Sequence, residues 1–102
     1  MGMSPARGAS EDVIRALEPD LDGQDLLRLA VHRSPAVRAA AASRADCPIA
    51  ALMSLGHDHD HDVLRSLIAN PRTPSSVIRK LADHRSTDIS DAAVQRLRNS
   101  FR

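Results

Sequence analysis

The stretch Val63-Leu64-Arg65-Ser66-Leu67-Ile68-Ala69-Asn70-Pro71-Arg72-Thr73-Pro74-Ser75-Ser76-Val77-Ile78-Arg79-Lys80-Leu81-Ala82-Asp83 decides the fold. Displaced by one or two periods of 26 residues, several of its apolar positions land on apolar positions. Val63 falls on Val37 and Ile89, Ile78 on Leu52 and Leu26, and Leu81 on Leu55 and Leu29. Ahead of it, Asp60 falls on Ser34 and Ser86. A fixed period of this length is the signature of stacked repeats, which more often present a surface than enclose a reaction.

Helix punctuation recurs with the same period. Ser34-Pro35 sets a capping hydroxyl before a proline at the first helical position, a favoured helix start. Asp60 and Ser86 stand in the same column, and the helices that follow are expected over about 35–43, 61–69 and 87–100. A second start recurs at Pro48 and Pro74, with Thr73 as a candidate cap. Asp22 is the candidate cap of a helix over about 23–31. Ser10 is the candidate cap of an opening helix ending at Pro19, which lies two periods before Pro71. No alternating strand pattern competes. About seven short helices result, two per repeat. None is long enough to be stable alone in water, so each must bury its apolar stripe against its neighbours. The expectation is an all-α helical-repeat stack (an α-solenoid) of about three and a half repeats. The expected units are 10–33, 34–59, 60–85 and 86–102, after a disordered leader at residues 1–9. Leu97 and Phe101, at i,i+4, are placed to cover the open end of the core.

Composition narrows the function classes. The 102 residues make one domain. The core must be aliphatic, because there is one Phe and no Tyr or Trp. The net charge of +1 exerts no strong global pull on nucleic acid or membrane. The charge is uneven, however. Residues 1–30 hold three basic and six acidic side chains, and residues 63–102 hold eight basic and three acidic. Such asymmetry can orient a partner along the stack. Cys47 is the only cysteine, which excludes an internal disulfide and a cysteine-built metal cluster. No run is apolar enough to span a bilayer, and no secretory signal opens the chain. The expectation is a cytoplasmic protein with no membrane partner.

Asn70-Pro71, Thr73-Pro74 and Leu81-Ala82 stand in the same spacing as in a run of the form V-R-x-x-V-A-x-N-P-x-T-P-x-x-x-L-x-x-L-A. In this the chain resembles the variant leucine-rich repeat proteins of bacteria, over about residues 20–98. The preceding repeat keeps Val37-Arg38, Pro48, Leu52 and Leu55 but has Arg44-Ala45 where Asn-Pro would stand. The resemblance implies a bacterial protein and a right-handed superhelix alternating an α-helix with a shorter helix, often 3₁₀. The repeats here are slightly longer than that family's unit, so the second helix is expected to be α, as in HEAT or armadillo repeats. Some relatives carry an iron–sulfur module. This chain, with one cysteine, is expected to carry no cofactor. The family has no common reaction, so the resemblance bears on fold far more than on function.

Three constellations carry candidate chemistry. In Gly56-His57-Asp58-His59-Asp60-His61-Asp62, imidazoles and carboxylates of the kind that bind zinc, nickel or copper are concentrated in one turn. The candidate ligands are His57, His59 and His61. The competing reading is a polar inter-repeat turn whose acids complement the next helix's dipole. Aligned across repeats, the same turn yields a column His32, Asp58, His84 and beside it Arg33, His59, Arg85. With helices 8–10 Å apart, these form a ladder that can dock an acidic peptide or a phosphate backbone; the alternative is a merely solvated turn. Arg65, Arg72, Arg79 and Lys80, with Arg85, Arg96, Arg98 and Arg102, make the C-terminal half basic. Without aromatics to stack on bases, any nucleic-acid binding there would be phosphate-driven and salt-sensitive.

Catalysis finds little support. Cys47 aligns with Thr73 and reads as a cap position rather than a nucleophile. Ser75 and Ser76 lie in a helix's first turn, and no glycine-rich phosphate loop is present. The expected function is a non-enzymatic scaffold for protein–protein recognition, through its concave face or the turn ladder. Nucleic-acid backbone binding and divalent-metal binding are the alternatives. A homodimer through an open end is possible.

Overall fold

A computed structural model describes the backbone of residues 5–100 and the side chains of residues 11–100. The expected plug residue Phe101 and residues 1–4 of the expected leader lie outside the described residues. The described chain is all-helical: α1 (Pro5–Ala16), α2 (Gly23–Ala30), α3 (Pro35–Ala42), α4 (Ile49–Leu55), α5 (His61–Ala69), α6 (Ser75–Leu81) and α7 (Thr87–Ser100), with no strand among the described residues. The second helix of each sequence unit is α-helical and only seven or eight residues long.

Helix starts follow the local chemistry, with three departures. Asp22 and Asp25 form a reciprocal capping box, the Asp25 N–H donating to Asp22 at 2.9 Å and the Asp22 N–H to Asp25 at 3.2 Å. Asp60 accepts from the N–H groups of Asp62 and Val63, the expected cap of α5. Ser34 precedes α3, but its hydroxyl makes no cap hydrogen bond. Thr73 does not cap α6 either. Its hydroxyl donates backwards to the Leu67 carbonyl at 2.6 Å and closes the end of α5. The third departure is α1. It begins at Pro5, so residues 5–9 of the expected leader are helical and Ser10 lies inside the helix. Pro at the first turn lacks only an N–H that has no helical partner there, and Ala6, Arg7 and Ala9 favour helix. The helix ends at Ala16, before Pro19.

The odd-numbered helices pack in series, α1 on α3, α3 on α5 and α5 on α7; α2 packs on α3 and α4, and α6 on α7. The molecule is elongated, 49 × 28 × 19 Å. The aligned apolar columns form its interior: Val37, Val63 and Ile89 are each fully buried, as are Leu52 and Leu67. Burying a side chain of this size contributes roughly 1.5–3 kcal/mol relative to exposure. One continuous core runs from Ala30 to Ala93, with Leu97 half-buried against it. A second, smaller cluster of Ala16, Val37 and Ala40, flanked by Val13 and Leu29, holds α1.

Side chains tie these helices together at matched separations. Asn70, 2% exposed, donates from one amide nitrogen to the carbonyls of Ala42 and Arg44, both at 2.8 Å, separations of 28 and 26 residues. Arg44 does the same 26 residues earlier, donating to Ala16 at 2.9 Å and Glu18 at 2.6 Å. Arg96 does it 26 residues later, donating to Ile68 and, at 3.0 Å, to Asn70. The carbonyls concerned lie at and just beyond helix C-termini, where intrahelical partners run out. Arg44 therefore performs the task of Asn70, although the sequence marks it as a departure from the Asn-Pro pattern.

Candidate recognition surface

The turn ladder divides into an inner and an outer column. The inner residues are committed to the fold. His32 Nδ1 accepts the Ser34 N–H at 3.0 Å, Asp58 Oδ1 accepts the Asp60 N–H at 2.9 Å, and His84 Nδ1 accepts the Ser86 N–H at 3.0 Å. Each is an acceptor two residues before the donor it satisfies, and each shapes the entry to the next helix. Half of the expected docking strip is thus consumed by backbone hydrogen bonding. The outer residues Arg33, His59 and Arg85 alternate with them, point to solvent, and have no side-chain polar partner among the described residues.

The inner column also carries pairs spaced 20 residues apart. His32 Nε2 meets Asp12 at 2.8 Å. One period on, the charges exchange places: the Arg38 guanidinium donates to both oxygens of Asp58 at 2.7 and 3.2 Å. Arg38 also donates to the carbonyls of His32 and Arg33. Burial works against the Asp58 charge, but the hydrogen bonds from Arg38 and the Asp60 N–H prevail and hold its carboxyl below the ordinary carboxylate range. In the third unit the first position of the pair is Leu64, fully buried, and His84 instead meets the edge of the His61 ring at 5.7 Å.

The His57–Asp62 run does not converge. His57 lies by Lys80, whose ammonium is 3.2 Å from Nδ1. His61 turns to Asp88 at 3.7 Å and to His84, while His59 faces solvent. Gly56 ends α4 and Asp60 caps α5, as a turn requires. No group of three or more His, Cys, Asp or Glu residues placed to share a metal forms among the described residues.

The basic half is less available than its composition implies. Arg65 is paired with Asp62 at 2.8 Å and with Asp88. Arg72 donates to the Ala45 carbonyl at 2.8 Å, and Arg96 is spent on the carbonyls of Ile68, Asn70 and Pro71. Arg79, Lys80 and Arg85 remain exposed and without an acidic partner among the described residues. Cys47 is fully buried, and burial pushes its thiol up to about 11, which leaves no thiolate to act as a nucleophile near neutral pH.

Large apolar side chains stay exposed on the N-terminal and central helices: Ile14, Leu17, Leu27, Val31, Ile49 and Met53. Met53 borders a cleft of about 360 Å³ between α4 and α6, lined also by Ser54, Gly56, His57, Ser76, Val77 and Lys80. The residues that sequence reasoning missed are Arg44, Asn70 and Arg96 as a structural column and Asp12 and Arg38 as partners of the inner turn residues. The one sequence signal of the first three was a polar donor recurring at 44, 70 and 96.

No described helix is long and apolar enough to cross a membrane. Comparison of the chain with family models, curated proteins and solved structures finds no match.

Proposed function

We propose that the chain is a short right-handed helical-repeat stack, similar to variant leucine-rich repeat proteins, and a non-enzymatic scaffold for protein–protein recognition. The observation that carries the reading is the outer column Arg33, His59 and Arg85. It recurs every 26 residues, stays exposed, and has no intramolecular partner among the described residues. The stack is supported by serial packing of the odd-numbered helices and by the matched hydrogen bonds from Arg44, Asn70 and Arg96. The non-enzymatic part rests on the buried thiol of Cys47. A surface that spaces donors at helix-to-helix distance suits an extended acidic segment better than a small substrate. Nucleic-acid binding is the weaker alternative, because Arg65, Arg72 and Arg96 already hold intramolecular acceptors.

The test is photocrosslinking in the source cell, with a photoreactive amino acid replacing Arg33, Arg85 or Met53 in turn. A discrete protein adduct from any of the three supports recognition. Adducts only to nucleic acid, or none from any position, overturn it. Adducts to a second copy identify the partner as the chain itself.

A further inference from the structure

We propose that the cleft between α4 and α6 is a docking site for an acidic peptide segment, one large apolar side chain followed by a carboxylate. This deepens the protein-recognition reading and rests on it. Three observations at the cleft agree. Its polar rim is basic: Lys80 lies 3.2 Å from His57 Nδ1, and the lining contains no carboxylate. The same ammonium is 3.5 Å from Nε2, so it stands over the imidazole and keeps its exposed side open to a carboxylate. Its wall is apolar, formed by Met53, 51% exposed, over the buried Val77. A thioether adapts to differently shaped apolar side chains. Ser54 and Ser76 line the same space, and their hydroxyls hold no partner among the described residues, so they can serve a bound peptide's backbone.

One period earlier, α2 and α4 pack on each other directly. Gly56 shapes the floor of the cleft by letting Val77 come close. A β-carbon there would come within 3.0 Å of Val77 Cγ1, whereas the positions one period away are Ala30 and Ala82. Charge and shape together favour an acidic peptide over an oligonucleotide, since no aromatic lines the cleft for a base to stack on.

The test is fluorescence anisotropy of the full chain with labelled 12-residue probes at pH 7 and low salt. The first probe carries Leu and Glu in alternating pairs, the second has Gln for every Glu, the third has Ser for every Leu, and the fourth is a 12-nucleotide oligothymidylate. The expected result is saturable binding of the first probe and at least tenfold weaker binding of the other three. Lys80→Glu and Met53→Ser should each weaken the first probe at least tenfold at unchanged melting temperature, and Arg15→Glu, an exposed charge reversal on α1 away from the cleft, should leave it within twofold. Equal loss in Arg15→Glu, tighter binding of the oligonucleotide, or no binding of the first probe overturns the proposal. If it fails while a photoreactive residue at Arg33 or Arg85 still captures a protein, recognition stands and only the cleft is wrong.

Discussion

Asn70 shows how much one buried side chain carries. Its amide serves the Ala42 and Arg44 carbonyls and its oxygen accepts the Arg72 N–H at 2.9 Å. Asn70→Ala strands these groups at the centre of the molecule, and an unsatisfied buried group costs about 1–3 kcal/mol. Global stability should fall by about 3 kcal/mol in urea unfolding; a loss below about 1 kcal/mol would show that water replaces the amide. Cys47 gives the opposite case. It aligns with Thr73, whose hydroxyl bonds the Leu67 carbonyl. Cys47→Thr supplies the same donor toward Ala41, one period earlier, and should be neutral or stabilise by about 1 kcal/mol. In the wild type, a thiol reagent at pH 8 should leave Cys47 unmodified until urea unfolds the chain.

The elements depend on this chemistry through amphipathicity and caps. In α4, Leu55 is buried and Ile49 is 40% exposed. Leu55→Ala should cost about 3 kcal/mol and Ile49→Ala less than about 1, since only the first leaves a cavity; equal costs would mean that α4 packs by a different face. At the turn into α5, Asp58 joins two elements, pairing with Arg38 of α3 and accepting the Asp60 N–H. Its folded carboxyl titrates below its unfolded counterpart. The folded state therefore binds fewer protons, and the stability Asp58 contributes is complete above the unfolded carboxylate pKa of ~3.9 and lost as pH falls through the folded value. Asp46, beside Arg44, and Asp88, bonded by Ser86 and Arg65, shift in the same direction. Urea midpoints should fall as the pH is lowered from about 5 to 3, and Asp58→Asn should flatten part of that fall.

For the whole molecule, the two clusters of buried residues predict uneven stability. The main core runs from Ala30 to Ala93, whereas α1 rests on a few small side chains and on the bonds from Arg44 to the carbonyls at and just after its end. Arg44→Ala should raise amide exchange in α1 while leaving α5 and α7 at the global rate; uniform acceleration would mean that the chain opens only as one unit. Leu81, in the main core, is the counterpart: Leu81→Asp buries a carboxylate among aliphatic neighbours and should unfold the whole described fold. Light scattering at high concentration tests whether the exposed Ile14, Leu17 and Val31 associate two copies; a strict monomer would leave that surface to another partner.

The sequence by itself determined the helical class, the places where α2 to α7 begin, and the aliphatic columns of the interior. Period and capping chemistry act between neighbours in the chain, so they can be read without coordinates. It misjudged α1, because five residues that resemble a leader in composition are also compatible with helix. It read Arg44 only as a departure from the Asn-Pro pattern, Arg96 as part of a basic half, and His32, Asp58 and His84 as part of a docking strip. Only the tertiary structure decided those roles. A side-chain donor shows its purpose when its acceptor is known, and for Arg44, Asn70 and Arg96 the acceptors lie 26 and 28 residues away. The cleft beside Met53 was hidden for the same reason: a space between two helices is a property of how they pack, not of either helix alone.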